Sequence, residues 1–417
     1  MGFKQKLLNK NYSVLVLLIF LISLFQKSRL ITFVEYKYDQ AFASNVLRSC
    51  SITKILNLDF DFLFIKSSVG IPQGPFHYTL ECLSGIIGIN NYIEFLRFKI
   101  IFLQILIFAI FYIIKNSFSA KQSVSFLILI LFNPYLIISS RNISSVYNYE
   151  FILLFFMFFY IKLNKNKKYS FAYGLISTLI FAFYFPLFIF ASTLNIVLLL
   201  IGNVRFKIEF FLGSLTGLFM CFISYWPFLS GNNFVNLANT NESWGLTSYW
   251  RINLNALAGD SLRSKINSPY DIETLQLIFP NYLIFYNLNK VIITFLIIYS
   301  LYGLLTKIKT KKIDKLDIVF LICITFTGII FTLIDIALYP HYFFFNVFFS
   351  VVFITKNAKD QNILLIVSIL FFISSNIVIN NFHRYIEVNK GANNSDYGAS
   401  YNTCGCCVEN AKLCRGQ

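Results

Sequence analysis

The sequence predicts an all-α membrane protein that crosses the bilayer about eleven times and places its large loops on one side. Three observations predict this class. Hydrophobic residues make up 57% of the 417 residues and charged residues only 13%, which is more apolar surface than a soluble core can bury. Apolar windows close to the ~20 residues of a spanning helix recur along almost the whole chain. Basic residues concentrate in alternate segments between these windows.

The first apolar window, "SVLVLLIFLISLF", predicts a spanning helix that is kept in the protein, because no small-residue cleavage site of a signal peptide follows it. Further windows of similar character predict the other spans, and the pattern allows roughly nine to eleven in total. The predicted spans lie at about residues 13–31, 98–114, 122–139, 146–161, 171–186, 187–201, 208–228, 284–306, 316–338, 341–355 and 362–380.

The placement of charge predicts how these spans are oriented. If the amino terminus is cytoplasmic, the short inner segments hold 18 of the 35 Lys and Arg residues but only 4 of the 19 acidic ones. This is the positive-inside pattern. It divides 171–201 into two short spans, because a single span would move the basic "VRFK" segment to the outer side. Topology thus explains the net charge of +16, and no nucleic-acid partner is predicted.

Large segments are predicted only on the outer side, so we expect the function to face outward. We divide the chain into a membrane domain, 1–380, which includes the outer loops 32–97 and 229–283, and a carboxyl-terminal tail, 381–417. The inner segments are too short to fold a nucleotide-binding domain, and no cofactor is predicted. Acids are rare within the spans. Glu150 and Asp335 come closest, each toward the outer end of its span.

Cysteines on the outer side predict disulfides, because the bacterial periplasm is oxidising. Cys50 and Cys82 share the first outer loop and form one candidate pair. Zinc is the alternative ligand for the tail cysteines, but their spacing lacks a paired C-x-x-C site. The tail contains Cys404, Cys406, Cys407 and Cys414.

The segment "YDQAFASNVLRS" has apolar positions at helical spacing, which predicts an amphipathic helix along the membrane surface. Two acids, Glu35 and Asp39, follow the first span at a spacing of four residues. On a helix they would share one face, and their repulsion would let one of them keep its proton to a higher pH than a free carboxyl group. Such a group suits general acid and base catalysis. The alternative is that Glu35 pairs with Arg29 or Lys37 in the headgroup layer.

Several short segments, in their order along the chain, resemble a known family. They are a first span, an acid followed by "QAFASNVLRS", then "GIPQGPFHYTL", "NPYLIISSRNISSVYNYE" and "YPHYFFFNVFFSV". This order is similar to that of the GT-C glycosyltransferases, which use polyprenyl-phosphate sugars. Within that superfamily, the length, the loops and the outward tail most resemble the phage-encoded serotype-converting O-antigen glucosyltransferases.

The resemblance implies a multi-pass enzyme of the bacterial inner membrane, with its amino terminus in the cytoplasm and its carboxyl terminus in the periplasm. It implies an inverting hexosyltransferase that moves glucose from undecaprenyl-phosphate glucose to a sugar of the lipopolysaccharide O-antigen. A separate flippase for the lipid-linked glucose and a donor synthase on the cytoplasmic side would be its partners. Asp39 would be the catalytic base. Position 40 is Gln where relatives often have a second acid, which leaves Glu35 as the reserve candidate.

Basic and aromatic residues on the outer side are candidates for binding the substrate. Arg141 in "SSRNISS" follows the predicted span 122–139, where a guanidinium group beside hydroxyls suits a phosphate. Each candidate also has a reading without a function. The Lys and Arg side chains would extend to lipid headgroups, the Tyr side chain would belong to an interfacial aromatic belt, and the His side chains would be packing residues. The other candidates are Lys66, His77, Tyr38, Arg251 and His341.

Other functions fit the same pattern less well. Another GT-C branch would modify lipid A or protein. A flippase for lipid-linked sugars would need charged groups inside its spans, and an O-antigen polymerase-like protein would rely on arginine-rich outer loops. No metal-binding motif is present, and the need for a divalent metal stays open.

Overall fold

In a computed structural model, the chain forms sixteen helices and one pair of two-residue strands within the described residues. The structure describes residues 2–401 with gaps. The described ranges are 2–36, 38–50, 79–89, 91–142, 149–163, 170–183, 185–200, 208–230, 245–259, 265–266, 268–312, 315–334, 343–392, 394–395 and 397–401.

The helices carry almost all of the described structure. The first eight are α1 (Gly2–Ser28), α2 (Tyr38–Ser49), α3 (Thr79–Ile86), α4 (Tyr92–Ile114), α5 (Ala120–Leu131), α6 (Pro134–Ser139), α7 (Tyr149–Leu163) and α8 (Ser170–Phe183). The others are α9 (Phe185–Leu200), α10 (Ile208–Ser230), α11 (Leu246–Ala258), α12 (Pro269–Ile278), α13 (Tyr282–Lys309), α14 (Lys315–Ile334), α15 (Phe344–Asn357) and α16 (Gln361–Asn389).

Two helices, α5 and α15, form the centre of the bundle. Both are buried along nearly their whole length, which explains why their sequences are apolar on every face. The helices α13 and α16 pack around them. The Thr355 hydroxyl in this core donates to the Val351 carbonyl four residues earlier, so it leaves no unsatisfied donor in an apolar setting.

Three helices are long and apolar enough to cross a membrane: α4, α13 and α16. Their outer faces carry exposed apolar side chains at helical spacing; on α4 these are Ile101, Ile105, Phe108 and Tyr112. An aqueous surface rarely presents such a continuous apolar stripe, whereas hydrocarbon solvates it. Further apolar helices of 10–17 residues accompany them. The all-helical architecture is therefore confirmed for the described residues, while insertion into a membrane and the number of spans stay predictions.

The predicted span at 122–139 is wrong as one helix, because the structure breaks it at Phe132 and Asn133. Pro134 has no backbone N–H to continue the ladder of α5, and it begins α6 instead. The Asn133 side-chain oxygen accepts from the Leu136 N–H at 3.1 Å. Its amide nitrogen donates to the carbonyls of Ala256 and Leu257, each at 2.9 Å. The break thus fixes α6 against the end of α11.

The first outer loop is helical on both sides of its undescribed part. As predicted, "YDQAFASNVLRS" forms an amphipathic helix, α2, whose buried face contains Ala43, Val46 and Leu47. A disulfide joins Cys50, next to the end of α2, to Cys82 in α3. Because Gly85 approaches the carbonyl of Leu47, where an added Cβ would lie 2.3 Å away, the two helices pack closely.

The carboxyl-terminal part folds back onto the first outer loop. The predicted domain boundary at residue 380 falls inside α16, which continues to Asn389. Strands β1 (Gly391–Ala392) and β2 (Gly398–Ala399) then form a small antiparallel hairpin. We call the described part of residues 390–401 the clasp, because it forms hydrogen bonds with the segment that contains Glu35. The four tail cysteines lie outside the described residues.

Helices α8 and α10 pack closely against each other, and small residues allow it. A Cβ on Gly213 would lie 2.1 Å from the Phe171 carbonyl oxygen, and one on Gly174 would lie 2.2 Å from that of Phe210. The Thr178 hydroxyl also lies 3.0 Å from the Ser214 carbonyl oxygen. Close backbone approach of this kind drives helix pairing in lipid, where the hydrophobic effect between helices is absent.

We expect Gly213→Ala to lower the free energy of unfolding by roughly 1–3 kcal/mol, because the added methyl group collides with backbone that cannot move aside. Thermal unfolding in detergent micelles measures this effect. Leu215→Ala, on the exposed face of the same helix, is the matched control and should unfold near the wild-type temperature. Equal melting temperatures for the two variants would contradict the close pairing.

Candidate functional site

The Glu35 segment lies at the centre of the outer polar region. After a 3₁₀ turn at Ile31–Phe33, the chain becomes extended, and Glu35 forms an isolated antiparallel bridge with Ser400 of the clasp. The helix α2 starts only at Tyr38. The predicted helical face shared by Glu35 and Asp39 is therefore wrong: Asp39 is helical, whereas the backbone of Glu35 is held by the clasp.

The Glu35 carboxylate is buried and ion-paired. Only 6% of the residue is exposed, and its Oε2 lies 2.8 Å from the Lys265 ammonium nitrogen. The Oε1 lies 3.1 Å from the same nitrogen. Lys265 is equally buried, at 4% exposure. The predicted alternative, pairing with a base, is thus realised with Lys265 from the second outer loop and not with Arg29; Lys37 lies outside the described residues.

Asn142 connects this ion pair to the neighbouring helices. Its side-chain nitrogen donates to the Glu35 Oε2 at 3.0 Å, and its side-chain oxygen accepts from Gln40 of α2 at 2.9 Å. Its backbone carbonyl accepts from the Lys99 ammonium of α4, also at 2.9 Å. One buried amide therefore joins segments that are about a hundred residues apart in sequence, with each of its polar atoms satisfied.

Arg141 is buried beside the ion pair and, among the described residues, contacts no carboxylate. One terminal nitrogen lies 2.5 Å from the His383 Nε2, and the other donates to the Leu30 carbonyl at 2.6 Å. Because a guanidinium group only donates, the His383 Nε2 must accept. Burial lowers the pKa of Arg141 to about 10, and the group stays positively charged at neutral pH.

A cleft of about 320 Å³ of empty volume, including the solvent at its mouth, opens between these groups. We call it the Glu35 cleft. It contains one buried carboxylate and two buried cations, so its lining carries a net positive charge. The residues that line it are Val34, Glu35, Tyr135, Ile138, Ser139, Arg141, Asn142, Lys265 and Tyr397.

The clasp closes one wall of the Glu35 cleft. The Tyr397 hydroxyl donates to the Phe33 carbonyl at 2.6 Å, and the Tyr397 N–H donates to the Lys265 carbonyl at 2.8 Å. Burial raises the pKa of the Tyr397 phenol above its usual range, so the group stays a neutral donor. The Tyr401 ring stacks on Tyr92 with centroids 5.1 Å apart. These contacts hold the clasp against the segment that contains Glu35.

The structure places the sequence-predicted site residues as follows. Glu35 and Arg141 both line the Glu35 cleft. Arg251 is exposed on α11 and does not line it. Tyr38 and Asp39 form the first two positions of α2, one turn beyond the Glu35 segment, and their side chains lie outside the described part. Lys66, His77 and His341 lie outside the described residues.

Sequence reasoning missed three residues that shape the site: Lys265, Asn142 and Tyr397. Asn142 directly follows Arg141, so the segment was identified while its bridging amide was not. No sequence pattern distinguished Lys265, because a lysine in a predicted outer loop is equally compatible with a role at the surface and a role in the site. Tyr397 belongs to the carboxyl-terminal tail, which is far in sequence from the first outer loop. Only the folding of the clasp onto that loop brings Tyr397 to the cleft.

The arrangement offers two kinds of chemistry. Cations at the Glu35 cleft can stabilise a negative charge that develops nearby, and they are already fixed by burial and hydrogen bonds. Asp39, the candidate acid or base, belongs to the first turn of α2, which follows the Glu35 segment in the chain. Within the described ranges, no three His, Cys, Asp or Glu residues come together to hold a metal ion.

Comparison with known proteins gives no relative. No protein-family profile, no curated protein and no solved structure matches this chain.

We expect Asn142→Ala to destabilise the protein by about 1–3 kcal/mol, because it leaves the buried Glu35 oxygen and the Gln40 amide each short of a partner. The melting temperature in detergent measures the loss. Asn45→Ala, on the exposed face of α2, removes an amide of the same size and should have little effect. A melting temperature for Asn142→Ala that matches the control would show that the bridging amide does not hold the site.

Proposed function

We propose that this protein is a GT-C-type inverting glycosyltransferase that moves glucose from undecaprenyl-phosphate glucose to a sugar of the lipopolysaccharide O-antigen. One observation carries the proposal. Two of the segments that carry the resemblance, the loop after the first span and "NPYLIISSRN", are about a hundred residues apart, yet Glu35 and Arg141 line the same cleft. A site assembled from the very segments that carry the resemblance supports a shared chemistry.

The roles of the two acids follow from their surroundings. Glu35 accepts from Lys265 and Asn142, and these contacts fix its carboxylate and occupy lone pairs that a substrate hydroxyl would need. We therefore assign Glu35 to positioning. Asp39 remains the proposed base, since it stands at the start of α2 next to the Glu35 segment.

The reaction needs one proton transfer and one departing phosphate. The acceptor hydroxyl oxygen bonds to the anomeric carbon of glucose while the bond from that carbon to the phosphate oxygen breaks. The hydroxyl proton passes to Asp39, and undecaprenyl phosphate leaves with the bonding electron pair. Arg141 and Lys265 are the cations that would stabilise the phosphate as its charge increases.

The proposed location is the bacterial inner membrane, with about eleven spans, a cytoplasmic amino terminus and a periplasmic carboxyl terminus. The Cys50–Cys82 disulfide supports an outward position for the first loop, because the periplasm is oxidising. The clasp contacts this loop, which requires the carboxyl-terminal segment to lie on the same side. A flippase and a cytoplasmic-side synthase would supply the donor.

One observation favours a second candidate, a flippase for lipid-linked sugars. Lys99 and Glu150 are buried within predicted spans, and their charged atoms lie 3.7 Å apart. Charged groups inside spans are typical of transport pathways. Purified protein in vesicles with a radiolabelled polyprenyl-phosphate sugar separates the two functions: transfer of label to an acceptor indicates the enzyme, and label that only crosses the bilayer indicates the flippase.

We expect Asp39→Asn to lower glucose transfer by at least about a hundredfold, because the variant keeps the size of the side chain and removes its basicity. Transfer from the radiolabelled donor to O-antigen acceptor measures the effect, and mass analysis of O-antigen from cells checks it. Glu94→Gln, an exposed acid in the first turn of α4, is the control and should transfer normally. Full activity of Asp39→Asn, with both variants equally abundant in the membrane, would refute the assignment.

A further inference from the structure

A second cluster of buried charges lies beside the Glu35 cleft and has no part in the proposed reaction. It contains Glu81 of α3, Lys99 of α4 and Glu150 of α7. All three residues are at most 1% exposed. They come from separate helices, so no local sequence pattern brings them together.

The two carboxyl groups of this cluster are poorly satisfied. Among the described residues, neither oxygen of Glu81 nor of Glu150 has a hydrogen-bond partner. The Lys99 ammonium lies 3.7 Å from the Glu150 Oε1, which is an ion pair without a short hydrogen bond. Buried polar groups are nearly always paired, so four unpartnered oxygens indicate that the cluster binds something further.

The charge balance indicates what is bound. With both carboxylates ionised, the cluster would hold two negative charges and one positive charge away from water, and the unbalanced charge would be costly. Burial raises the pKa of Glu81 to about 8, the nearby Lys99 opposes this rise, and the charge of Glu150 adds to it. One bound proton makes the cluster neutral and gives Glu81 an O–H donor.

The surroundings contain few other charges that act on Glu81. Lys99 and Glu150 are the charged groups that face it from α4 and α7. Helix α2 packs against α3; its Arg48 is exposed, and the side chain of its Asp39 lies outside the described part. Glu94 and Arg97 on α4 are also exposed.

The cluster is connected to the Glu35 cleft through one lysine. The Lys99 ammonium donates to the Asn142 carbonyl at 2.9 Å, and the Asn142 amide donates to Glu35 at 3.0 Å. A second negative charge beside Lys99 would attract its ammonium toward the carboxylates and weaken its bond to Asn142. The charge state of the cluster therefore acts on the residue that positions Glu35.

We propose that Glu81, Lys99 and Glu150 form a buried proton-binding site that holds one proton at neutral pH and is coupled to the Glu35 cleft through Asn142. The proton binds to a carboxylate oxygen and is exchanged with water, so no other reactant is needed. The binding itself does not depend on the proposed glycosyl transfer. Only its effect on the rate of transfer rests on that function.

The sign of the pH dependence follows from linkage. An unfolded glutamate loses its proton near pH 4.3, whereas the folded cluster keeps it up to about pH 8. Between these values the folded state binds more protons, so the stability from this site decreases as the pH rises. Glu81→Gln is neutral at every pH and removes this decrease.

We expect the melting temperature of the wild type to fall by roughly 2–5 °C more than that of Glu81→Gln between about pH 5 and about pH 8. The full-length protein in detergent is measured across this range, and Glu94→Gln, which alters an exposed acid of α4, is the control that should follow the wild type. Parallel curves for wild type and Glu81→Gln would overturn the proposal.

Infrared spectroscopy gives an independent measurement if Glu81→Gln folds poorly. The wild type and Glu81→Asp should show a carboxylic-acid C=O band at neutral pH that is lost in alkali, and Glu81→Gln should lack it. A carboxylate band alone at neutral pH in the wild type would contradict proton binding. If Mg²⁺ or Ca²⁺ raises the melting temperature of EDTA-treated wild type but not of Glu81→Gln, the site binds a cation and the proposal is wrong.

The coupling has its own measurement. We expect the transfer rate of the wild type to fall above about pH 8, while that of Glu81→Gln stays level there. The same alkaline fall in both variants would contradict coupling. If neither the wild type nor any variant transfers glucose, the proposed function is wrong. The melting curves then still decide whether the proton-binding site exists.

Discussion

The buried ion pair of Glu35 and Lys265 is the interaction on which the outer polar region depends. It joins the first outer loop to the second, and both partners are almost fully removed from water. Such a pair is a poor source of net stability, because desolvation of the two charges offsets much of their attraction. Its effect is geometric. Once both charges are buried, neither segment can move away without breaking an ion pair that is shielded from water.

Two further elements position the other residues of the Glu35 cleft around this ion pair. The helix break at Asn133 and Pro134 places Arg141 and Asn142 beside the pair, and the clasp bridges the backbone of Glu35 from the other side. The large apolar bundle supplies a rigid frame for these contacts. A small number of polar residues, held against that frame, thus forms a positively charged cleft in a chain whose residues are mostly hydrophobic.

The physical patterns that repeat over many residues were predictable from the sequence. Apolar windows predicted the helices, and the spacing in "YDQAFASNVLRS" predicted α2 with the ends that the structure shows. The break within 122–139 had a visible cause in Asn133 and Pro134, but the apolar character of the window outweighed it. Glu35 was identified as important, yet its partner was not, because pairing with Lys265 depends on how two distant loops meet. A disulfide between Cys50 and Cys82 was one candidate among several, and the packing of α2 on α3 selects it.

A double-mutant cycle tests the central ion pair most directly. The free energy of unfolding in mixed micelles is measured for the wild type, Glu35→Gln, Lys265→Met and the combined variant. Each single substitution removes the ion-pair partner of one buried charge and should cost about 3–5 kcal/mol, whereas the combined variant should cost clearly less than the sum. Costs that add to within about 0.5 kcal/mol would show that the two residues do not interact, and the Glu35 cleft would lose its organising contact.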